Sequence, residues 1–119
     1  MKKEIINTIV ARLNEYLDSP LYENIIFCWV MHERNIIHQI LSKLKLVNFN
    51  LINVSLICNN ETVIHRLTQD ISAGLRDKDI IQRSLDRLPL YTKLETIKIN
   101  TNDKDPLEVA NETVKLKRL

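Results

Sequence analysis

The sequence predicts a single α/β domain over residues 1–119: a small parallel sheet with helices on both faces, three layers in all. Three observations carry this. Apolar residues at helical spacing alternate with short, continuous apolar runs along the chain. Those runs, residues 24–30, 51–58 and 96–100, are rich in β-favouring side chains, and the first two fit strands buried on both faces. And 119 residues, 45% apolar and 27% charged, provide one modest core in an ordinary globular protein. Strands alternating with helices imply parallel strands joined by right-handed crossovers.

Each element has its own signal. Residues 3–17 place Ile5, Ile6, Ile9, Val10, Leu13 and Leu17 at helical spacing, and Asp18-Ser19-Pro20 closes that helix. After the run NIIFCWV, residues 32–46 repeat the pattern through Ile36, Ile37, Ile40, Leu41 and Leu44. The run LINVSLIC is the second strand. Asn59 or Asn60 caps a helix carrying Val63, Ile64, Leu67 and Ile71, which Gly74 breaks or bends. Asp77 or Asp79 caps the next, with Ile80, Ile81, Leu85 and Leu88 as its buried stripe, and Pro89 ends it. Residues 96–100 form the third strand. Pro106 then opens the last helix as a favoured first-turn residue, burying Leu107, Val109, Ala110 and Val114.

Composition excludes several functions. A net charge of +2 is too small to recruit nucleic acid or a membrane surface. The basic end, Lys115-Leu116-Lys117-Arg118, fits the last turn of a helix, where cations suit the dipole. Residues 1–17 lack the unbroken apolar core of a signal peptide, and no run reaches transmembrane length. Cys28 and Cys58 lie inside apolar runs and read as reduced core residues, so a cytoplasmic protein is expected. There is one glycine, so no glycine-rich phosphate cradle of the G-x-x-x-x-G-K-[ST] or G-x-G-x-x-G kind exists.

Residues 74–91, GLRDKDIIQRSLDRLPLY, concentrate the chemistry. Arg83 and Arg87 are four apart and share one helical face, with Arg76 two turns earlier. Three guanidinium forks from one segment suit a multiply charged oxyanion, above all phosphate. Equally, Asp79 can pair with Arg83 at i,i+4 and leave a solvated face. Ligands of parallel sheets bind at the carboxyl ends of the strands, and the arginine segment precedes the third strand, where it can arch over that edge as a lid spanning about residues 70–88.

Arg87-Leu88-Pro89-Leu90-Tyr91, then Thr96-Ile97-Lys98-Ile99-Asn100-Thr101, then Pro106-Leu107-Glu108-Val109-Ala110 resembles the C-terminal third of shikimate kinases and related P-loop small-molecule kinases. There an R-x-P-L-Y stretch is followed by a strand ending in Asp-Thr and a helix beginning Pro-Glu-Glu-Val-Ala. The similarity covers about residues 3–117, with a specific motif only at 87–110. It implies a P-loop-kinase-like fold and a transferase using ATP and Mg²⁺. It implies further that Arg87 grips the acceptor substrate, that Arg76 from the lid reaches the transferring phosphate, and that residues 101–106, with Thr101, Asn102 and Asp103, lie beside the nucleotide. Arg83 lies where nucleotide kinases often carry a second arginine; Arg76 and Arg83 are thus the catalytic candidates. The lid motif Arg-Pro-Leu-Leu is absent, Met31-His32-Glu33 replaces Gly-Gly-Gly, and the opening strand, phosphate loop and lysine are missing. Phosphoryl transfer depends on that cradle. The expectation is therefore a kinase-like core truncated at its N-terminus, inactive alone, with an acceptor other than shikimate.

His32, just past the first strand, is a candidate substrate contact or a packed histidine. A metal site from His32, Glu33 and His38 fails on i,i+6 spacing. Trp29 reads as core, the two cysteines have no neighbouring histidine in sequence, and Asp70 and Asp77 read as solvated. The competing functions are the lid and acceptor half of a kinase, a non-catalytic oxyanion- or nucleotide-binding module, and a self-associating chain. In the kinase-like sheet the missing strand would leave the strands at 24–30 and 51–58 with open inner edges. They either pair with each other or draw in a second copy, and a homodimer is expected.

Overall fold

The computed structural model describes residues 2–117, and the chain divides into two compact units, Met1–Leu51 and Ile52–Leu119. The first is built on two helices, α1 (Lys2–Asp18) and α2 (Arg34–Leu41). Ile6, Val10 and Leu13 lie four and three residues apart on α1, so they share one face, and they bury themselves with Ile36 and Ile40 of α2. Each such side chain removed from water contributes about 1.5–3 kcal/mol. α1 ends where expected, Ser19 N–H turning back to the Tyr16 carbonyl at 3.2 Å ahead of Pro20.

α2 stops at Leu41, five residues before the periodicity does. A contact from 29 residues away explains this. Asn14 of α1 donates through Nδ2 to the Lys43 carbonyl at 3.1 Å, and its Oδ1 accepts from Lys45 N–H at 2.9 Å. The turn after α2 tightens through Lys43 N–H to the Ile40 carbonyl at 3.1 Å and Leu44 N–H to that of Leu41 at 3.3 Å, and the α1 side chain fastens its far end.

Residues 24–30 are not a strand, contrary to expectation. Ile25, Phe27 and Met31 pack against the α1–α2 core, while Ile26 is 88% exposed and Cys28, Trp29 and Val30 are also exposed. The segment has strand composition but no backbone partner among the described residues, and a strand exists only through its pairing. A continuous apolar run also carries no period that reports pairing. Trp29 and Cys28 are therefore not core residues; Cys58, in the other unit, is half-buried.

The second unit contains the sheet. β1 (Val54–Ile57) and β2 (Ile97–Asn100) pair in parallel, with Val54 opposite Ile97 and Ile57 opposite Asn100. The small α/β class with a parallel sheet holds, but the sheet has two strands rather than three. α4 (Ile80–Thr92) packs on β1, α5 (Pro106–Leu116) on β2, and α3 (Asn60–Ser72) against α4. Neither strand is covered on both faces: Leu56 and Ile97 are 54% and 45% exposed, against 6% for Ile99. The buried Ser55 hydroxyl finds the Thr96 hydroxyl at 2.7 Å, and Lys98 Nζ bends back onto the Leu94 and Thr96 carbonyls.

Local chemistry sets the helix ends here. Asn59 caps α3, its Oδ1 accepting from Thr62 N–H at 2.8 Å. Gly74, at φ +76°, ends it: Leu75 N–H reaches back to the Asp70 carbonyl and Gly74 N–H to that of Ile71, the six-to-one and five-to-two pattern of a left-handed C-cap. Asp79 occupies the position before α4 but makes no capping bond: its backbone is already helical, at φ −68° and ψ −15°, and its carboxylate lies 3.4 Å from Arg83. Pro89 does not end α4, which runs on to Thr92. It stands in the tenth position, where its missing N–H forfeits the bond to the Leu85 carbonyl and its ring crowds that carbonyl, and the Thr92 hydroxyl donates to the Pro89 carbonyl at 2.7 Å. Asp105 caps α5 through Glu108 N–H at 2.9 Å, with Pro106 first in the helix. Leu107 and Val114, expected inside, are 69% and 56% exposed.

Candidate functional site

Both parallel strands end on the same edge, and the loop after β2 is fastened there. Thr101, 7% exposed, donates its backbone N–H to the Ile57 carbonyl at 2.7 Å, and its hydroxyl lies 3.1 Å from that oxygen. Arg66, on α3, donates Nη1 to the Thr101 hydroxyl at 2.9 Å and Nη2 to the Thr101 carbonyl at 2.6 Å. Asn102 Oδ1 accepts from Asn59 N–H at 2.9 Å, so the loop after β2 is tied to the residue that caps α3. Asp103 follows at φ +56°, a conformation aspartate tolerates better than most residues.

Beside this loop lies an open groove of about 320 Å³, at the small end of ligand pockets, lined by Glu61, Thr62, His65, Arg66, Asp103 and Lys104. Lys104 Nζ holds Glu112 at 2.7 Å. Arg66 spends two donors on Thr101 and retains three. The lining therefore mixes two carboxylates with two cations and a histidine. It can take a ligand group that accepts from Arg66 and Lys104, provided Glu61 and Asp103 face its donors or water.

The sequence-derived candidates separate. Thr101, Asn102 and Asp103 stand together at the strand ends. Arg76 and Arg83 face carboxylates, at 3.9 Å from Asp70 and 3.4 Å from Asp79 respectively, all four side chains being largely exposed. The i,i+4 partner of Arg83 is the one its spacing allows. Arg87 is half-buried and acts on Tyr91, whose hydroxyl pKa is raised by burial and drawn partly back by that guanidinium. His32 belongs to the first unit; its side chain is 16% exposed, with Nε2 3.4 Å from Glu33.

Arg66, His65, Glu61 and Lys104 were not singled out by sequence. The signal was available for three of them: a helix opening two residues after a parallel strand brings its first two turns to the strand's carboxyl end, and residues 61, 62, 65 and 66 fall on one face at i, i+4. Lys104 depends on the turn through Asp103, which has no such period.

ATP and Mg²⁺, implied by the kinase resemblance, fit this donor set poorly. Two carboxylates that share the groove with a lysine and an arginine do not make an oxygen cage for a hard cation. Among the described residues no three metal-ligating side chains converge, and no backbone cradle matches a triphosphate. A single phosphate or a polar ring matches the groove better. Among the described residues no helix is long and apolar enough to cross a membrane. Compared with known proteins, the chain matches no family model, and no curated protein and no solved structure matches it.

Proposed function

We propose that this chain is a kinase-like α/β module, the lid and acceptor side of an ATP-dependent small-molecule kinase, that by itself holds a phosphorylated small molecule or nucleotide without transferring phosphate. The observation that carries this reading is the fastening of residues 101–103 by Arg66 and Asn59 at the shared carboxyl edge of β1 and β2. Parallel α/β sheets bind ligands at that edge, and the kinase resemblance puts the nucleotide beside the same loop.

In this reading Arg66 and Lys104 receive phosphate oxygens, and Arg87 serves the acceptor. Arg76 and Arg83 belong to the lid. Each must leave an exposed carboxylate to reach a phosphate, and such surface pairs contribute at most about 1 kcal/mol. Their present partners are therefore no obstacle to recruitment. No residue here supplies the cradle that positions a triphosphate, so turnover is not expected of the isolated chain.

The second reading, a purely binding module, is favoured by one observation: Arg76 and Arg83 are already paired with Asp70 and Asp79. Titration of ADP and of inorganic phosphate, followed by amide shifts in wild type, Lys104→Ala and Arg87→Ala, tests both. Shifts at residues 101–105 that weaken in both variants support the kinase-like reading. Shifts that Lys104→Ala abolishes and Arg87→Ala leaves intact support the binding module alone. No shift at residues 101–105 rejects both.

A further inference from the structure

Residues 24–30 behave as a strand waiting for an edge. Over residues 25–28 the side chains alternate: Ile25 and Phe27 are docked on the α1–α2 core and Ile26 and Cys28 face outward; Trp29 and Val30 are then both exposed, at 38% and 49%, before Met31 returns to the core. That is the period of a half-buried strand, yet among the described residues no backbone hydrogen bond joins this segment to another. In the second unit β1 pairs with β2 on one side only. Beside that unpaired side Leu56 of β1 is 54% exposed and Ile52, just before the strand, 40%, whereas β2 alternates with Lys98 and Asn100. An open apolar edge is a template for another strand.

The exposed area indicates what covers it. A folded 14.0-kDa chain exposes roughly 6,700 Å², and roughly 8,000 Å² even when its two units are counted as separate folded bodies. This chain exposes 9114 Å². The smaller surplus, roughly 1,000 Å², is the share each partner buries in a stable dimer. One chain carries both the unpaired strand and the unpaired edge, so two copies satisfy each other reciprocally and the assembly closes.

We infer that residues 24–30 of a second copy add as a strand to the free edge of β1, each copy giving its segment to the other in a closed dimer. The inference is independent of the groove and of any ligand there. Sedimentation of the full chain at micromolar concentration should show twice 14.0 kDa. Ile26→Lys with Val30→Lys, both on the outward side and away from the α1–α2 core, should give a monomer with unchanged helical circular dichroism. In the wild type, amides of residues 24–30 should gain protection from hydrogen exchange as concentration rises through the dimerisation range. A monomeric wild type overturns the inference, as does a double variant that remains dimeric. Protection that ignores concentration places the strand within its own chain and overturns it too. If the double variant does not fold, the exchange measurement on the wild type decides alone.

Discussion

The Arg66 guanidinium embraces Thr101, one nitrogen on its hydroxyl at 2.9 Å and the other on its carbonyl at 2.6 Å, across 35 residues of chain. The first turns of α3 and the end of β2 are thereby fixed to each other by polar bonds. The fork geometry is what makes this work: both acceptors lie on one residue, and a planar guanidinium reaches two at once.

Arg66→Ala should lower the unfolding free energy by about 1–2 kcal/mol, since it removes two charge-assisted bonds and leaves the buried Thr101 with fewer partners. Arg66→Lys should recover less than half, because an ammonium on a flexible stem cannot span both acceptors. Urea titration measures both. An unchanged midpoint in Arg66→Ala would show that the pair is ornamental to stability.

Gly74 sits at φ +76°, and a Cβ built there meets no atom within 4 Å. The penalty for Gly74→Ala is then purely one of backbone conformation, about 1 kcal/mol. Gly74→Asn, better suited to the left-handed region, should cost less. Equal losses for the two would point to a steric cause instead.

Arg83 and Asp79 form an exposed i,i+4 pair, so Arg83→Ala should change stability by less than about 0.5 kcal/mol. If Arg83 belongs to a phosphate-binding lid, the same variant weakens phosphate affinity by a larger factor than it weakens the fold. Stability and phosphate titration on one protein preparation separate the roles. A variant that loses neither returns Arg83 to a solvated face.

Burial raises the Tyr91 pKa, and the Arg87 charge lowers it in part. Arg87→Ala should therefore move it further upward, read from the phenolate absorbance during an alkaline titration. The consequence for stability has a definite sign. With the folded pKa above the unfolded one, the unfolded chain releases its proton first, so stability is level below the ordinary tyrosine range and falls as pH climbs through it. The fall should extend to higher pH in Arg87→Ala. A downward shift in that variant would mean that Arg87 acts on Tyr91 mainly by covering it from solvent rather than through its charge.

The sequence determined what depends on near neighbours. Helical spacing marked the buried faces of α1 and α2, the Asn59-Asn60 pair announced the cap of α3, Gly74 a break after it, and Pro106 the first turn of α5, while the cap by Asp105 went unread. Each is decided within a few residues, where the chain's own bonds are the only competitors. The placement of Thr101, Asn102 and Asp103 just past the end of a parallel strand was legible because it depends only on where that strand stops. Only the tertiary structure decided what depends on distant partners. Residues 24–30 have strand composition, yet strandhood needs an edge that no local pattern supplies. α2 gives way to a grip by Asn14 from another helix. Of the arginines aligned by spacing, Arg76 and Arg83 turn to nearby carboxylates and Arg87 acts on Tyr91, while the guanidinium that fastens the strand ends is Arg66, which shares no segment with them. Spacing ranks side chains along one helix; it carries no information about which acceptor another strand brings within 3 Å.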